Sequence, residues 1–170
     1  MDCIVRPEKP ADYARVHEIN HLAFETDSEA VLVDGLRAEA QSVISLVAEM
    51  GDEVVGHILF TPVSVGDTPA SVATMGLAPL AVHPEFQDHG VGGELVKVGL
   101  EACAAAGCEA VVTLGHPEYY ARFGFTPAVE QGISYVGSDY DSFFLVKELV
   151  PDTLEFFQGE VKYHRLIEEL

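Results

Sequence analysis

The sequence of 170 residues contains only three cysteines, and their number and spacing argue against a framework of disulfide bonds. Cys3, Cys103 and Cys108 are an odd number, form no Cys-x-x-Cys pair and have no spacing typical of a metal site. We therefore expect three reduced thiols in a reducing compartment, which makes the cytoplasm the expected location.

Basic residues are also scarce. Nine Lys and Arg stand against 28 Asp and Glu, which gives a formal net charge of −19. This charge repels nucleic acids and anionic lipid surfaces, so we expect neither as a partner. The acidic surface either attracts a cationic amine or a basic peptide, or only keeps the protein soluble. Both interpretations stay open at this point.

A hydrophobic run long enough for a membrane span is missing too. No uncharged stretch reaches the ~18 residues that a span needs, and the N-terminus has no basic segment followed by a long apolar run. The sequence contains no repeat, low-complexity tract or linker, and 48% of its residues are hydrophobic. We expect one domain over residues 1–170, with one core and neither a leader nor a membrane anchor.

Hydrophobic periodicity predicts a mixed α/β (α+β) fold. Strands are predicted over residues 3–6, 42–50, 53–65, 73–82 and 109–114, with two more within 142–149 and 159–167. Helices are predicted from Pro10 to Ala23, over 29–39, from a glycine-rich bend to Ala106, and over 116–124. The order is β-α-α-β-β-β-α-β-α-β-β. Because short links such as Gly51-Asp52 join the second, third and fourth strands, we expect a largely antiparallel central sheet flanked by helices.

The stretch LAVHPEFQDHGVGGELVKVGL, residues 80–100, starts as a strand and ends as a helix, with the glycine-rich bend between them. Such a bend presents unpaired N–H groups at the positive end of the helix dipole, where phosphate oxygens bind. It is not a P-loop, since no Gly-Lys-Ser/Thr follows, and Gln87 replaces the first glycine of the dinucleotide-binding fingerprint. Taken alone, the glycines are explained at least as well by an ordinary strand-to-helix turn.

The wider pattern is more specific. The motif Q-x-x-G-x-G at Gln87–Gly92 follows a strand ending in LAVHP, and Y-x-R-x-G-F follows at Tyr120–Phe125. This combination resembles the GNAT superfamily of N-acetyltransferases, in particular small bacterial single-domain members with a YYxRFGF segment, here YYARFGF. The resemblance implies a GNAT-like mixed sheet and acetyl-CoA (coenzyme A) as the cofactor. It also implies acetyl transfer to a primary amine of a small molecule or peptide.

The resemblance assigns roles to particular residues. The backbone of Leu80, Ala81 and Val82 would bind the pantetheine arm, and an N–H of Leu80 or Ala81 would stabilise negative charge on the thioester carbonyl oxygen. Tyr120 would be the general acid that protonates the leaving sulfur, with Tyr119 as the alternative. The residues that would wrap the diphosphate are Gln87, Asp88, His89, Gly90, Val91 and Gly92.

Three positions depart from the family pattern or extend it. Asp88 places an acid in the loop where relatives usually carry a basic residue, which weakens attraction for a phosphate or turns the carboxylate to solvent. Thr113 stands where many relatives have an asparagine that binds the pantetheine. Arg122 would either approach a phosphate or brace its helix.

The base that deprotonates the acceptor stays open among Glu25, His83, His116 and a water chain. His17 and His21 are four residues apart on a predicted helix, but no convincing third ligand accompanies them, so we expect no metal.

The acceptor and the assembly also stay open. The family's acceptor cleft corresponds to residues 18–39 and 132–166, whose many acids favour a cationic small amine or a peptide amine over an acidic metabolite. A homodimer through the terminal strands is compatible with the pattern. The alternative function is a non-catalytic acyl-CoA-binding or protein-interaction module on the same fold.

We expect acetyl-CoA to bind the purified protein at micromolar concentrations, and Gly90→Glu to abolish the binding because it places a negative side chain in the proposed phosphate cradle. Isothermal titration calorimetry at low and high salt measures both. If the folded wild-type protein binds no acetyl-CoA at either salt concentration, the bend is a structural turn and the acetyltransferase interpretation is wrong.

Overall fold

The structure, a computed structural model, describes residues 2–170. Its strands are β1 (Cys3–Pro7), β2 (Ile44–Met50), β3 (Glu53–Val65), β4 (Thr68–Val82), β5 (Ala110–Leu114), β6 (Thr126–Pro127), β7 (Ile133–Ser134), β8 (Phe144–Glu148) and β9 (Gly159–Lys162). Its helices are α1 (Tyr13–Phe24), α2 (Ser28–Glu39), α3 (Val91–Ala105), α4 (Pro117–Ala121) and α5 (Arg165–Glu168).

The strands form one mixed sheet in the order β1-β2-β3-β4-β5-β8-β6, to which β9 adds by pairing with β3 and β7. All neighbours in this order are antiparallel except β4 and β5. The prediction of a largely antiparallel sheet flanked by helices is therefore confirmed. The exception matters for function, because β4 and β5 are the pair beside which the predicted cofactor residues lie.

Several predicted boundaries were wrong. The fourth strand starts at Thr68 and not at residue 73, because Gly66 and Asp67 make a tight turn after which pairing to β3 resumes at once. The last strand ends at Lys162, and α5 follows it because the ring of His164 accepts a hydrogen bond from Leu166 N–H (3.2 Å) and caps the helix. The two-residue strands β6 and β7 were not predicted, since so short a run has no periodicity.

Helices cover both faces of the sheet. Since successive strand residues point to opposite faces, Leu59 packs under α1 and α2, whereas its neighbours Ile58 and Phe60 pack under α3. In α3, Gly99 allows the closest approach, because a Cβ there would lie 2.6 Å from the ring of Phe60. The sheet and α3 therefore pack closely, and the bend lies directly before this packed helix. No helix among residues 2–170 combines the length and apolar character that a membrane crossing requires.

His57 of β3 is fully buried in a polar cluster under α1 and α2. Ser45 Oγ donates a hydrogen bond to Glu8, whose carboxylate also pairs with Arg37, and the same hydroxyl lies 2.9 Å from His57 Nε2. Asn20 Nδ2 lies 3.4 Å from the other ring nitrogen. Burial, with the positive charge of Arg37 nearby, lowers the pKa of His57 to about 3. His57 is therefore neutral and joins α1 to the sheet.

We expect His57 to make the protein less stable in mild acid. A histidine in the unfolded chain has a pKa of ~6.5 and takes up a proton that folded His57 refuses, so its contribution falls by up to about 1.4 kcal/mol per pH unit below that value. Urea unfolding from neutral pH down to pH ~4.5 should show this slope in the wild type and in His89→Gln, an exposed control, but a shallower slope in His57→Gln. Equal slopes in all three proteins would contradict the assignment.

Candidate active site

The strands β4 and β5 are neighbours over only part of their length. Their parallel pairing runs from Thr74 opposite Ala110 to Leu77 opposite Thr113, after which β4 continues to Val82 without β5. Thr113 Oγ1 donates a hydrogen bond to the Leu77 carbonyl oxygen (3.0 Å) where the strands part. A gap therefore opens between the strands, and the backbone of β4 that faces it lacks its sheet partner.

The backbone of β4 turns alternate residues toward this gap. On its other edge β4 pairs with β3, where His83 N–H donates to a β3 carbonyl oxygen (2.8 Å). Because hydrogen-bonded pairs alternate in an antiparallel ladder, Ala81 also bonds to β3, whereas Leu80 and Val82 face the gap. Gln87 Nε2 accordingly donates to the Val82 carbonyl oxygen (3.0 Å) from that side. The register thus favours Leu80 over Ala81 as an N–H donor.

The glycine-rich bend leads directly into α3. Asp88 and Gly90 have positive φ angles of 64° and 82°, and Gly90 caps the helix. Within residues 2–170, no side chain caps the first N–H groups of α3, so they are available to an anion. Any side chain at position 90 is strained, so Gly90→Ala is the control that separates strain from added charge in Gly90→Glu.

A cleft of about 1130 Å³ runs along the bend and the end of β4. The predicted cofactor residues that line it are Leu80, Val82, Gln87, Asp88, Gly90, Val91 and Gly92. Ala81 is buried outside this lining, and the ring of His89 lies against the Gln87 carbonyl oxygen (2.7 Å) instead. The structure thus brings most of the predicted cofactor residues to one cavity.

The adjacent Tyr119 and Tyr120 line different cavities. Tyr119 lines the large cleft, and a Cβ on Gly92 would lie 2.9 Å from its hydroxyl, so glycine at 92 lets this ring rest on α3. Tyr120 lines a smaller cavity of about 300 Å³ beside the gap, together with Thr113. Gly115 leaves room for the Tyr120 ring. The two cavities share Leu80 and Phe24 in their walls and therefore adjoin.

Tyr120 is the more buried of the two hydroxyl groups. Burial raises the pKa of Tyr120 to about 12; the nearby Thr113 hydroxyl acts in the opposite direction, and Tyr119 adds to the rise. Tyr120 therefore keeps its proton at neutral pH and has it available to donate at the gap.

Arg122 supplies a positive charge to the large cleft. Its guanidinium lies over the Tyr119 ring, 4.5 Å from the centroid, and its Nε donates to the Tyr119 carbonyl oxygen (3.3 Å). It also lines the cleft that contains the bend. The two predicted roles of Arg122 are therefore compatible: it braces α4 and lies where it can reach an anion.

The three predicted bases have different surroundings. His83 Nδ1 accepts a hydrogen bond from Glu85 N–H (3.1 Å), so His83 caps the short 3-10 turn Pro84–Phe86 that follows β4. Glu25 is exposed at the end of α1 and lies outside the lining of both cavities. His116 lines the large cleft but not the Tyr120 cavity. None of these side chains lies in the wall beside Tyr120.

The histidines of α1 pair with carboxylates. His17 Nδ1 lies 2.8 Å from Asp34, and His21 Nδ1 lies 2.7 Å from Asp27. Over the described part of the chain, residues 2–170, no group of three or more His, Cys, Asp or Glu is arranged to hold a metal ion.

Sequence reasoning missed part of the Tyr120 cavity. Its walls include Glu29 and Leu32 of α2, and Ile167 and Leu170 at the C-terminal end. The segment 159–167 was predicted as a strand, which hid this wall. The spacing of Leu166, Ile167 and Leu170 suits one face of a short helix and was the available signal.

Comparisons with known proteins agree on one family. The model of the acetyltransferase (GNAT) family matches residues 10–125. YhbS of Escherichia coli K12, described as an uncharacterized N-acetyltransferase, is 35% identical over 162 residues, which cover 95% of this chain and 96% of YhbS.

Two solved structures are similar over nearly the whole chain. The crystal structure of E. coli YhbS in complex with CoA has a TM-score of 0.90 and 34% identity, covering 98% of this chain and 92% of that chain. A GNAT family acetyltransferase from Brucella melitensis in complex with acetyl-CoA has a TM-score of 0.80 and 34% identity, covering 98% of both chains.

Proposed function

Because the chain belongs to the acetyltransferase (GNAT) family, as its motifs predicted, it is an acyltransferase, and we propose that it transfers an acetyl group from acetyl-CoA to a primary amine. The observation that carries the proposal is the gap between β4 and β5. It joins the cleft at the bend to the cavity that holds Tyr120, so a long cofactor can lie in one while its reactive end meets the other.

The residues present fit the cofactor. The N–H groups at the start of α3 and the guanidinium of Arg122 suit the diphosphate of CoA. The backbone groups of Leu80 and the N–H of Val82, which have no strand partner on this side, suit the amides of the pantetheine arm, which would add to β4 like a further strand. Asp88 is exposed, so water can screen its charge from the phosphates. The proposal is thereby supported despite the acidic surface.

Acetyl-CoA, when bound, supplies the acetyl thioester, and the chain orients it and handles charge and protons. Leu80 N–H would stabilise the negative charge that develops on the thioester carbonyl oxygen as the amine attacks. Once the attack has formed the carbon–nitrogen bond, Tyr120 would donate its proton to the sulfur as the carbon–sulfur bond breaks. With its pKa raised to about 12, Tyr120 recovers a proton readily for the next cycle.

The proton balance then closes through water. An acceptor that arrives as an ammonium ion must lose two protons from nitrogen to become an amide. One balances the proton taken up by sulfur through Tyr120, and the other is released to solvent. Among the predicted bases, a water chain agrees best with the surroundings of Glu25, His83 and His116, none of which lines the Tyr120 cavity.

We expect Tyr120→Phe to lower kcat about 100-fold or more, because the departing sulfur loses its proton donor, while the affinity for acetyl-CoA stays within about threefold. The measurement is release of free thiol from acetyl-CoA, with the best acceptor from a panel of primary amines, beside calorimetry.

Tyr119→Phe is the matched control. It removes a hydroxyl from the large cleft and should leave kcat within about fivefold. A larger loss of kcat in Tyr119→Phe than in Tyr120→Phe would assign the general acid to Tyr119. Unchanged activity in both variants would remove the tyrosine acid from the mechanism, and binding without turnover of any amine would favour the non-catalytic module.

We expect Arg122→Gln to weaken acetyl-CoA binding about tenfold at low salt and less at high salt, because a screened charge contributes less. Lys97→Gln makes the same change in net charge on the exposed face of α3, where Lys97 pairs with Glu94 (3.3 Å), and should have little effect. Calorimetry across a salt series gives both results. Equal losses in the two variants would mean that net charge, and not Arg122 in the cleft, attracts the cofactor.

A further inference from the structure

The Tyr120 cavity is mostly apolar. Besides Tyr120 and Thr113, the side chains in its wall are hydrophobic with one exception. The apolar residues of the wall include Phe24, Leu32, Leu77, Leu114 and Ile167. A molecule that fills this space gains free energy by burying hydrocarbon or aromatic surface.

The exception is Glu29, which is the one charged side chain among those that line the cavity. It lies in the first turn of α2, where the helix dipole stabilises a negative charge. Thr26 Oγ1 donates a hydrogen bond to Glu29 Oε2 (3.0 Å) and leaves Oε1 for another donor. Glu29 is therefore oriented from one side and open on the other.

The other acidic residues of α1 and α2 have partners elsewhere. Glu18 pairs with Arg15, and Asp34 pairs with Arg37. Glu39 pairs with Arg165. Despite the many acids in the sequence of this region, the side chains in the cavity wall thus include one carboxylate and not a cluster.

We infer that the acceptor is a primary monoamine with an apolar body, whose ammonium group pairs with Glu29 and whose hydrocarbon or aromatic part lies against the apolar wall. This inference rests on the proposed acetyl transfer and narrows it. A polycation would leave all but one of its charges facing hydrocarbon, which is costly. An acidic or zwitterionic metabolite would place a carboxylate there without a cationic partner. A volume of about 300 Å³ fits an amine of the size of 2-phenylethylamine.

The test measures the rate of thiol release from acetyl-CoA with each amine of a panel. Hexylamine and 2-phenylethylamine represent apolar monoamines, and spermidine and kanamycin represent polycations. We expect kcat/KM for the apolar monoamines to exceed that for the polycations at least about tenfold. A reversed order would overturn the inference while leaving acetyl transfer intact.

Two variants and a control test whether the cavity residues cause the preference for apolar monoamines. Glu29→Gln should raise KM for the apolar monoamines about tenfold or more, whereas Glu39→Gln, the same change farther along α2, should not. Leu114→Glu, at a partly exposed wall position, adds a second carboxylate and should shift preference toward spermidine. Equal effects of the two glutamine substitutions, or no shift with Leu114→Glu, would count against the assigned contacts.

Binding is measured in parallel, so that the inference does not depend on turnover. Calorimetry of 2-phenylethylamine against the CoA-loaded protein should show binding that Glu29→Gln weakens and Glu39→Gln preserves. Failure of 2-phenylethylamine and hexylamine to bind would overturn the inference. Binding without acetylation would uphold the cavity assignment and instead refute the proposed reaction.

Discussion

The parting of β4 and β5 is the constraint on which the site depends. Two parallel strands that stayed paired would satisfy all their backbone groups and leave nothing to bind. Here pairing stops at Leu77 opposite Thr113. Beyond that point Leu80 and the N–H of Val82 have no strand partner at the edge that faces the gap, where Gln87 Nε2 donates to the Val82 carbonyl oxygen. The bulge at Ala78 and Pro79 in the β3–β4 ladder lies at this same point. Backbone groups without a strand partner can bond to water or to a ligand, which makes the gap a candidate binding site.

An acidic protein that binds an anionic cofactor faces an electrostatic conflict. With a net charge of −19, the surface as a whole repels a diphosphate. The proposed solution is local: the N–H groups at the start of α3 act at contact distance, and Arg122 is held in the cleft by its stacking on Tyr119. Salt screens distant surface charges more strongly than these close contacts. The proposed acceptor cavity likewise has a single charged side chain, Glu29, in its wall.

The sequence allowed the sheet class, the order of the main elements and the position of the bend to be predicted. Each depends on short-range signals: alternation in strands, the spacing of Leu95, Val96 and Gly99 in α3, and a glycine whose positive φ other residues avoid. Short elements were missed because they lack a period, which is why α5 was taken for a strand. The sequence shows many acids in residues 18–39, but it does not show that Glu18, Asp34 and Glu39 pair with arginines.

The sequence by itself determined that the chain makes a mixed sheet with a glycine-capped helix after its fourth strand, because local backbone preferences and side-chain periodicity suffice for that. Only the tertiary structure decided which of two adjacent tyrosines faces the gap, since α4 is too short for its register to be read from periodicity and packing against Gly92 and Gly115 orients the rings. It also decided that Glu29 and Ile167 share a cavity with Tyr120, because contacts between residues so far apart in the chain arise from packing and not from local sequence.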